Sequence, residues 1–158
     1  MPNIVSRIVE LCVFRKKGND AQYLVLKRSR NDGIYPGIWQ VVTGVIEEGE
    51  ATVPAALREL KEETGFVPAQ FWRLPVAHSF YEPVHDVVHV CPGFVVRVPD
   101  GIEPVLSSEH ESYEWCTAER ALALLPWTNQ REIVRMVQDR FVTETIESRL
   151  LDISHLKS

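Results

Sequence analysis

Residues 58–66 read Arg-Glu-Leu-Lys-Glu-Glu-Thr-Gly-Phe, preceded at fixed intervals by Glu50 and Gly44. On a helix, with Glu59 set at zero, Glu63 falls at about +40°, Glu62 at about −60° and Arg58 at about −100°, all on one side. Val53, Ala56, Leu57, Leu60 and Thr64 gather at about 60° to 160°, which predicts a buried face beside the charged one, with Lys61 toward solvent. Like charges one turn apart cost roughly 0.2–0.5 kcal/mol per pair, so three carboxylates on one face ask for a counter-charge. A hard divalent cation supplies it, because Mg²⁺ takes a few carboxylate oxygens and keeps its other positions for water and substrate phosphates. Arg58 is suited to orient a neighbouring carboxylate by charge-assisted hydrogen bonds, and Gly44 and Gly65 permit the turns that bring loop and helix together.

A Glu-rich helix face is ordinarily solvated surface, and Glu62-Glu63 alone would carry nothing more. The complete spacing is another matter. With Gly, Glu and Arg each at about 6–7% of average usage, seven such positions coincide by chance on the order of once in 10⁸ starting points. The segment from Gly44 to Phe66 resembles the Nudix box at every defined position, Leu60 and Phe66 included. That resemblance implies Mg²⁺-dependent hydrolysis of a nucleoside diphosphate linked to another group, with Mn²⁺ as an alternative cofactor. It also implies Glu59, Glu62 and Glu63 as metal ligands, with one of them, such as Glu59, as an alternative base, Arg58 and Glu50 orienting the cluster, and Gly44 and Gly65 structural.

Two flanking segments are similar to dihydroneopterin triphosphate and dATP pyrophosphatases: Trp39-Gln40-Val41-Val42-Thr43-Gly44, and Glu109-His110-Glu111-Ser112-Tyr113-Glu114-Trp115. Trp127-Thr128-Asn129-Gln130 resembles that subgroup's tail. On this basis Glu109 is a further ligand or the base, and the substrate is a nucleoside or pterin triphosphate that loses pyrophosphate. Tyr81 instead resembles a tyrosine of dinucleoside polyphosphate hydrolases, which keeps a dinucleoside polyphosphate or ADP-ribose substrate open. Arg28, Trp39 and Tyr81 are the candidate substrate-binding residues. A Trp at a strand position is nevertheless more often core, and an Arg before a loop is as often solvated surface.

The elements that must position these residues can be read in outline. Residues 4–15 and 22–28 are apolar and β-branched around a turn at 16–20, which predicts a hairpin. Asn31-Asp32-Gly33 and Pro36-Gly37 mark a loop before a short strand over 39–42. A helix is expected over 51–64, with Thr52 as N-cap, Pro54 in its first turn and Gly65 as its stop. Strands over 72–81, 86–98 and 112–116 follow, then helices over 118–125 and 129–145, the last with Ile133, Val137 and Phe141 stacked. The fold class is α+β (mixed α/β), and the resemblance implies a Nudix-type α/β/α sandwich with a mixed central sheet in one domain over 1–158.

The 158 residues carry 17 Lys+Arg against 22 Asp+Glu, a net charge of −5. This disfavours a broad electrostatic grip on nucleic acid or an anionic membrane, so the expected partner is a small nucleotide; a homodimer remains compatible. Cys12, Cys91 and Cys116 are odd in number and far apart, which points to core thiols in a reducing cytoplasm. Arg7 and Glu10 interrupt the apolar N-terminal stretch and spoil a signal peptide or membrane span. His85 and His89, read as strand residues, stand roughly 13 Å apart and do not make a zinc pair. Two other classes remain to be weighed: a phosphate-ligand sensor without turnover, against which three intact carboxylates argue, and an isomerase on the same scaffold.

Overall fold

The computed structural model describes residues 1–31 and 33–157, so Asp32 of the expected turn tripeptide lies outside it. Ten strands run in the order β1 (Asn3–Val5), β2 (Ile8–Lys17), β3 (Asp20–Arg28), β4 (Trp39–Gln40), β5 (Val42–Val45), β6 (Gln70–Arg73), β7 (His78–Glu82), β8 (Val87–Cys91), β9 (Gly93–Arg97) and β10 (His110–Cys116). Helix α1 (Thr52–Thr64) lies between β5 and β6, while α2 (Ala118–Leu124), α3 (Thr128–Arg140) and α4 (Ile146–Leu151) close the chain before a 3₁₀ turn at Ser154–Leu156.

The larger sheet has the order β10-β3-β2-β9-β6, with β4 also paired to β3 and β5 to β2; the smaller is β1-β8-β7. Pairing is parallel between β2 and β9 and between β1 and β8, and antiparallel elsewhere, so the central sheet is mixed as expected. Strand alternation then builds two cores. Val9, Leu11 and Val13 of β2 pack on one face with Ala56 and Leu60 of α1. Cys12 and Phe14 pack on the other with Ile133 and Val137 of α3 and with Phe141 just past its end. Strand residues buried on both faces read as unbroken apolar runs, which is why β2 looked continuous in the sequence.

Several boundaries differ from the sequence expectation, each for a local reason. The expected 4–15 strand breaks at Ser6-Arg7, and its first piece joins β8 in the smaller sheet through Asn3, Ile4 and Val5. The 72–81 and 86–98 runs each divide in two, at the Leu74–Ala77 segment and at Pro92, which has no N–H for the ladder. Thr52 is the first helical residue of α1; the extended N-cap is Ala51, with no side-chain cap bond. The last helix ends at Arg140, and Thr145 instead opens α4 through a capping box with Ser148. Gly65 closes α1 as expected, at φ 76°, with its N–H donating to Lys61 O.

Candidate active site

Helix α1 and strand β5 meet edge to face. Position 44 has no side chain, and a Cβ there would land on Glu59, 2.7 Å from its Cβ and nearer still to its Cγ and Cδ. Glu59 therefore lies across the strand, where its Oε1 accepts from the Val45 N–H at 3.0 Å and from Arg58 Nη1 at 3.0 Å. Arg58 forks onto Glu50 through Nε and Nη2 at 2.9 and 2.8 Å, donates from Nη2 to Val45 O at 2.8 Å, and from Nη1 to Glu62 Oε2 at 3.2 Å. The same guanidinium thus ties helix, strand and the 46–50 loop together.

The buried face of α1 is rotated from the expected one. Ala55, Ala56, Glu59, Leu60, Glu63 and Thr64 are buried, while Val53 and Leu57 are only partly so. Glu63 was expected to face away from the core, and it is 3% exposed. Such a carboxylate needs partners. Its Oε2 accepts from Ser107 Oγ at 3.1 Å and lies 2.6 Å from His110 Nδ1. His110 lies in β10, and Ser107 in the loop before it. That loop docks on the end of α1 through the Val105 N–H, which donates to Thr64 O at 2.9 Å.

Glu109, on the same loop, is exposed, and its N–H donates to Ser107 Oγ at 3.3 Å. Burial and the neighbouring Glu63 charge push its carboxyl above the usual range. Glu63 goes the other way. Burial pushes it up, but the hydrogen bond and charge of His110, helped by Glu109 and Ser107, hold it below.

The structure thus holds Glu59 on β5 and Glu63 beside the loop that carries Glu109, and sets Glu62 further out, on Arg58 and 55% exposed. Of the expected substrate-binding trio, Arg28 and Trp39 lie at the paired ends of β3 and β4, and Tyr81 lies in β7 of the smaller sheet. Trp39 is partly buried against the α3-side core, Tyr81 is exposed on β7 with its hydroxyl donating to Asp86 Oδ1, and Arg28 donates from Nε to Ile34 O. His85 lies in the β7–β8 turn on Glu82, while His89 stacks on Phe80. Among the described residues, no three acidic, histidine or cysteine side chains close round a common point. The donor set still suits a hard cation, since it offers carboxylate oxygens and leaves the Glu63 charge pushing up the Glu109 carboxyl. Glu59, Glu62 and Glu63 would hold it.

Residues 6–137 match the family model described as the NUDIX domain. The chain belongs to the Nudix family. Curated Nudix-like relatives include a dihydroneopterin triphosphate diphosphatase of Escherichia coli, 31% identical over 85% of this chain and 95% of that one. A bis(5'-nucleosyl)-tetraphosphatase of Mus musculus is 31% identical over 75% and 83%. An octanoyltransferase of Myxococcus xanthus is 35% identical over 82% of this chain, which spans only 36% of that protein's length. The solved structure of the Escherichia coli dihydroneopterin triphosphate pyrophosphohydrolase superposes with a TM-score of 0.70 at 25% identity, covering 86% of this chain and 99% of that one. As a Nudix hydrolase the chain acts on phosphorus anhydrides, and the family works with divalent cations. Among the described residues no helix is long and apolar enough to cross a membrane.

Sequence reasoning assigned no role to Gln40, Ser107 or His110. Two of them stood inside quoted motifs, Trp39-Gln40 and Glu109-His110, so their positions were in view while their contacts were not.

Proposed function

We propose that this Nudix hydrolase cleaves a nucleoside or pterin triphosphate between the α and β phosphorus atoms and releases pyrophosphate, with Mg²⁺, or Mn²⁺ in its place, as cofactor. The observation that carries this reading is that α1 holds Glu59 and Glu63 fixed while Glu109, on the loop docked at the end of that helix, feels the charge of Glu63. The cation, when bound, offsets charge on the phosphate oxygens and lowers the pKa of water. Arg58 and the Val45 N–H fix Glu59, and Ser107 and His110 fix Glu63. Glu109 has no such clamp on its carboxylate; it is exposed and raised in pKa, which suits it to take the proton from the attacking water. The three buried, free cysteines suit a reducing cytoplasm.

The likeness to the diphosphatase over nearly its whole length supports the triphosphate. A dinucleoside polyphosphate is the competing substrate, supported by the tetraphosphatase relative and by Tyr81. The Tyr81 hydroxyl is already committed to Asp86, and that bond raises its pKa. Comparing kcat/KM for dNTPs, dihydroneopterin triphosphate, diadenosine tetraphosphate and ADP-ribose separates the readings, because that ratio measures transition-state preference. A lead of about tenfold for diadenosine tetraphosphate, about 1.4 kcal/mol, would reverse the assignment.

A further inference from the structure

The carboxylate site leaves the Trp127-Thr128-Asn129-Gln130 segment without a role. Trp127 is the extended N-cap of α3, with φ −86° and ψ 126°, and it is 41% exposed. Against it stands Tyr35, 58% exposed, from the loop between β3 and β4. The ring centroids are 5.1 Å apart with the planes at 76°, an edge-on pair that presents a right-angled notch to solvent. Tyr35 has φ 48°, in the left-handed region, where a side chain costs roughly 1–2 kcal/mol that glycine avoids. The edge-on contact returns about 0.5–1.5 kcal/mol, so it roughly offsets the strain and leaves little net gain in stability. Gly33 and Gly37 stand two residues to either side, yet the strained position is the one that carries the ring. Strain of this kind gathers at ligand clamps.

Both rings are tied to the elements that carry the carboxylates. The loop of Tyr35 begins at Ser29, whose N–H donates to Glu109 O at 2.9 Å. Tyr35 follows six residues later, so its Cα lies no more than about 20 Å from that anchor. Arg28 holds the loop back, donating from Nε to the O of Ile34, the residue before Tyr35, at 2.9 Å. Trp127 stands one helical turn before Gln130, whose Oε1 accepts from the Val41 N–H at 3.1 Å, and Val41 follows Gln40, whose Nε2 lies 2.9 Å from His110 Nε2. We propose that Tyr35 and Trp127 clamp the flat heteroaromatic ring of the substrate, a nucleobase or pterin, and so set specificity while the phosphates extend toward Glu109. The inference rests on the reading of this chain as a hydrolase of nucleoside or pterin triphosphates. A flat ring laid on one aromatic face meets the other at its side, and stacking tolerates different bases because each has a π-face. The stacking role expected of Trp39 falls to this pair, since Trp39 is partly buried against the α3-side core.

The test compares ring-bearing ligands with a ringless one. The probes are the non-hydrolysable α,β-methylene analogue of dATP, neopterin monophosphate and ringless methylenediphosphonate, titrated in buffer containing Mg²⁺. Trp127→Leu should weaken the two ring compounds by about 5- to 150-fold, the range that one stacked base contributes, and leave methylenediphosphonate unchanged. Trp127→Phe keeps a π-face and should stay within several-fold of wild type. Tyr35→Gly removes the ring and the strain together, so Y35G should melt no lower than wild type yet bind the ring compounds about 5-fold or more weakly. A merely structural tyrosine would give the reverse, a lower melt with unchanged binding. Unchanged ring binding in W127L and Y35G, an equal loss of methylenediphosphonate, or a wild type that binds neither ring compound overturns the inference. A wild type that holds the ring compounds through Tyr35 and Trp127 but cleaves no triphosphate sinks the proposed activity and leaves the clamp standing. Triphosphate cleavage at wild-type kcat/KM in both W127L and Y35G sinks the clamp and leaves the activity.

Discussion

The side chain of Glu59 occupies the space that a Cβ at Gly44 would need, so strand and helix approach as closely as they do only because position 44 is glycine. Glu59 is 9% exposed and held by the Val45 N–H and Arg58, so it cannot swing aside without breaking both bonds. Gly44→Ala should therefore displace Glu59, with about 1–3 kcal/mol of lost stability from overpacking. The accompanying misplacement of a ligand should lower kcat/KM by about 100-fold. Urea denaturation and steady-state rates on the best substrate check the two parts; a fully active G44A would contradict the geometry.

Glu62 and Glu63 should respond differently to the same change. Both Glu→Gln variants should lose divalent-cation-dependent turnover. Glu62 is 55% exposed, so E62Q should melt within about 0.5 kcal/mol of wild type. In E63Q the new amide NH₂ cannot accept from His110 if it takes the place of Oε2, and a buried donor left unpaired costs about 1–3 kcal/mol. Melting curves of the metal-free variants distinguish them, and equal curves would argue against the His110 contact.

Arg58 depresses the Glu50 carboxyl to about 2, chiefly through the two-pronged hydrogen bond, with the Glu47 N–H assisting against burial. A folded-state pKa below the unfolded one contributes stability that is present above about pH 4.5 and is lost as pH falls toward 2. Arg58→Lys removes the fork, so the Glu50 carboxyl should titrate upward, nearer its ordinary range, and kcat/KM should fall as Glu59 loosens. Carbon-detected titration of Glu50 in both proteins reads the shift, and an unmoved Glu50 in R58K would refute the attribution.

Glu10 provides the opposite sign. It sits in β2, 6% exposed, facing α3, with Oε2 lacking a hydrogen-bond partner; burial raises its pKa to about 7, opposed by a bond from Gln130. The folded state thus holds a proton that the unfolded chain releases near pH 4.5, so stability falls as pH rises from about 4.5 to 7 and then levels off. Such a gap corresponds to about 3 kcal/mol, and Glu10→Gln should recover much of it at pH 8 and little at pH 5. Denaturant midpoints of wild type and E10Q across that range provide the measurement; a difference independent of pH would mean that Glu10 stays ionised in the fold.

Bound Mg²⁺ at about 100 times its Kd should stabilise the protein by roughly 2.7 kcal/mol, a rise of several degrees in Tm for a domain of this size. Thermal melts of chelator-stripped protein, with and without a non-hydrolysable triphosphate, read the shift, and no change in either would argue against a cation site.

The sequence by itself determined whatever local spacing and steric type can encode. Arg58, Glu59, Glu62 and Glu63 lie one turn or less apart, so the helix period alone places them on one side; Gly65 ends the helix because αL backbone costs glycine least. What it could not determine was how far that helix rolls against the sheet. Glu63 was expected to face away from the core, and packing turned it inward against Ser107 and His110, while Gly44 left room for Glu59 to lie across β5. Gln40, Glu63 and His110 are far apart in the chain and become neighbours only when β4 and β10 pair on the two edges of β3 and the 99–109 segment docks on the end of α1. No pattern within one segment encodes such contacts, since each depends on the register of strands brought together from different parts of the chain.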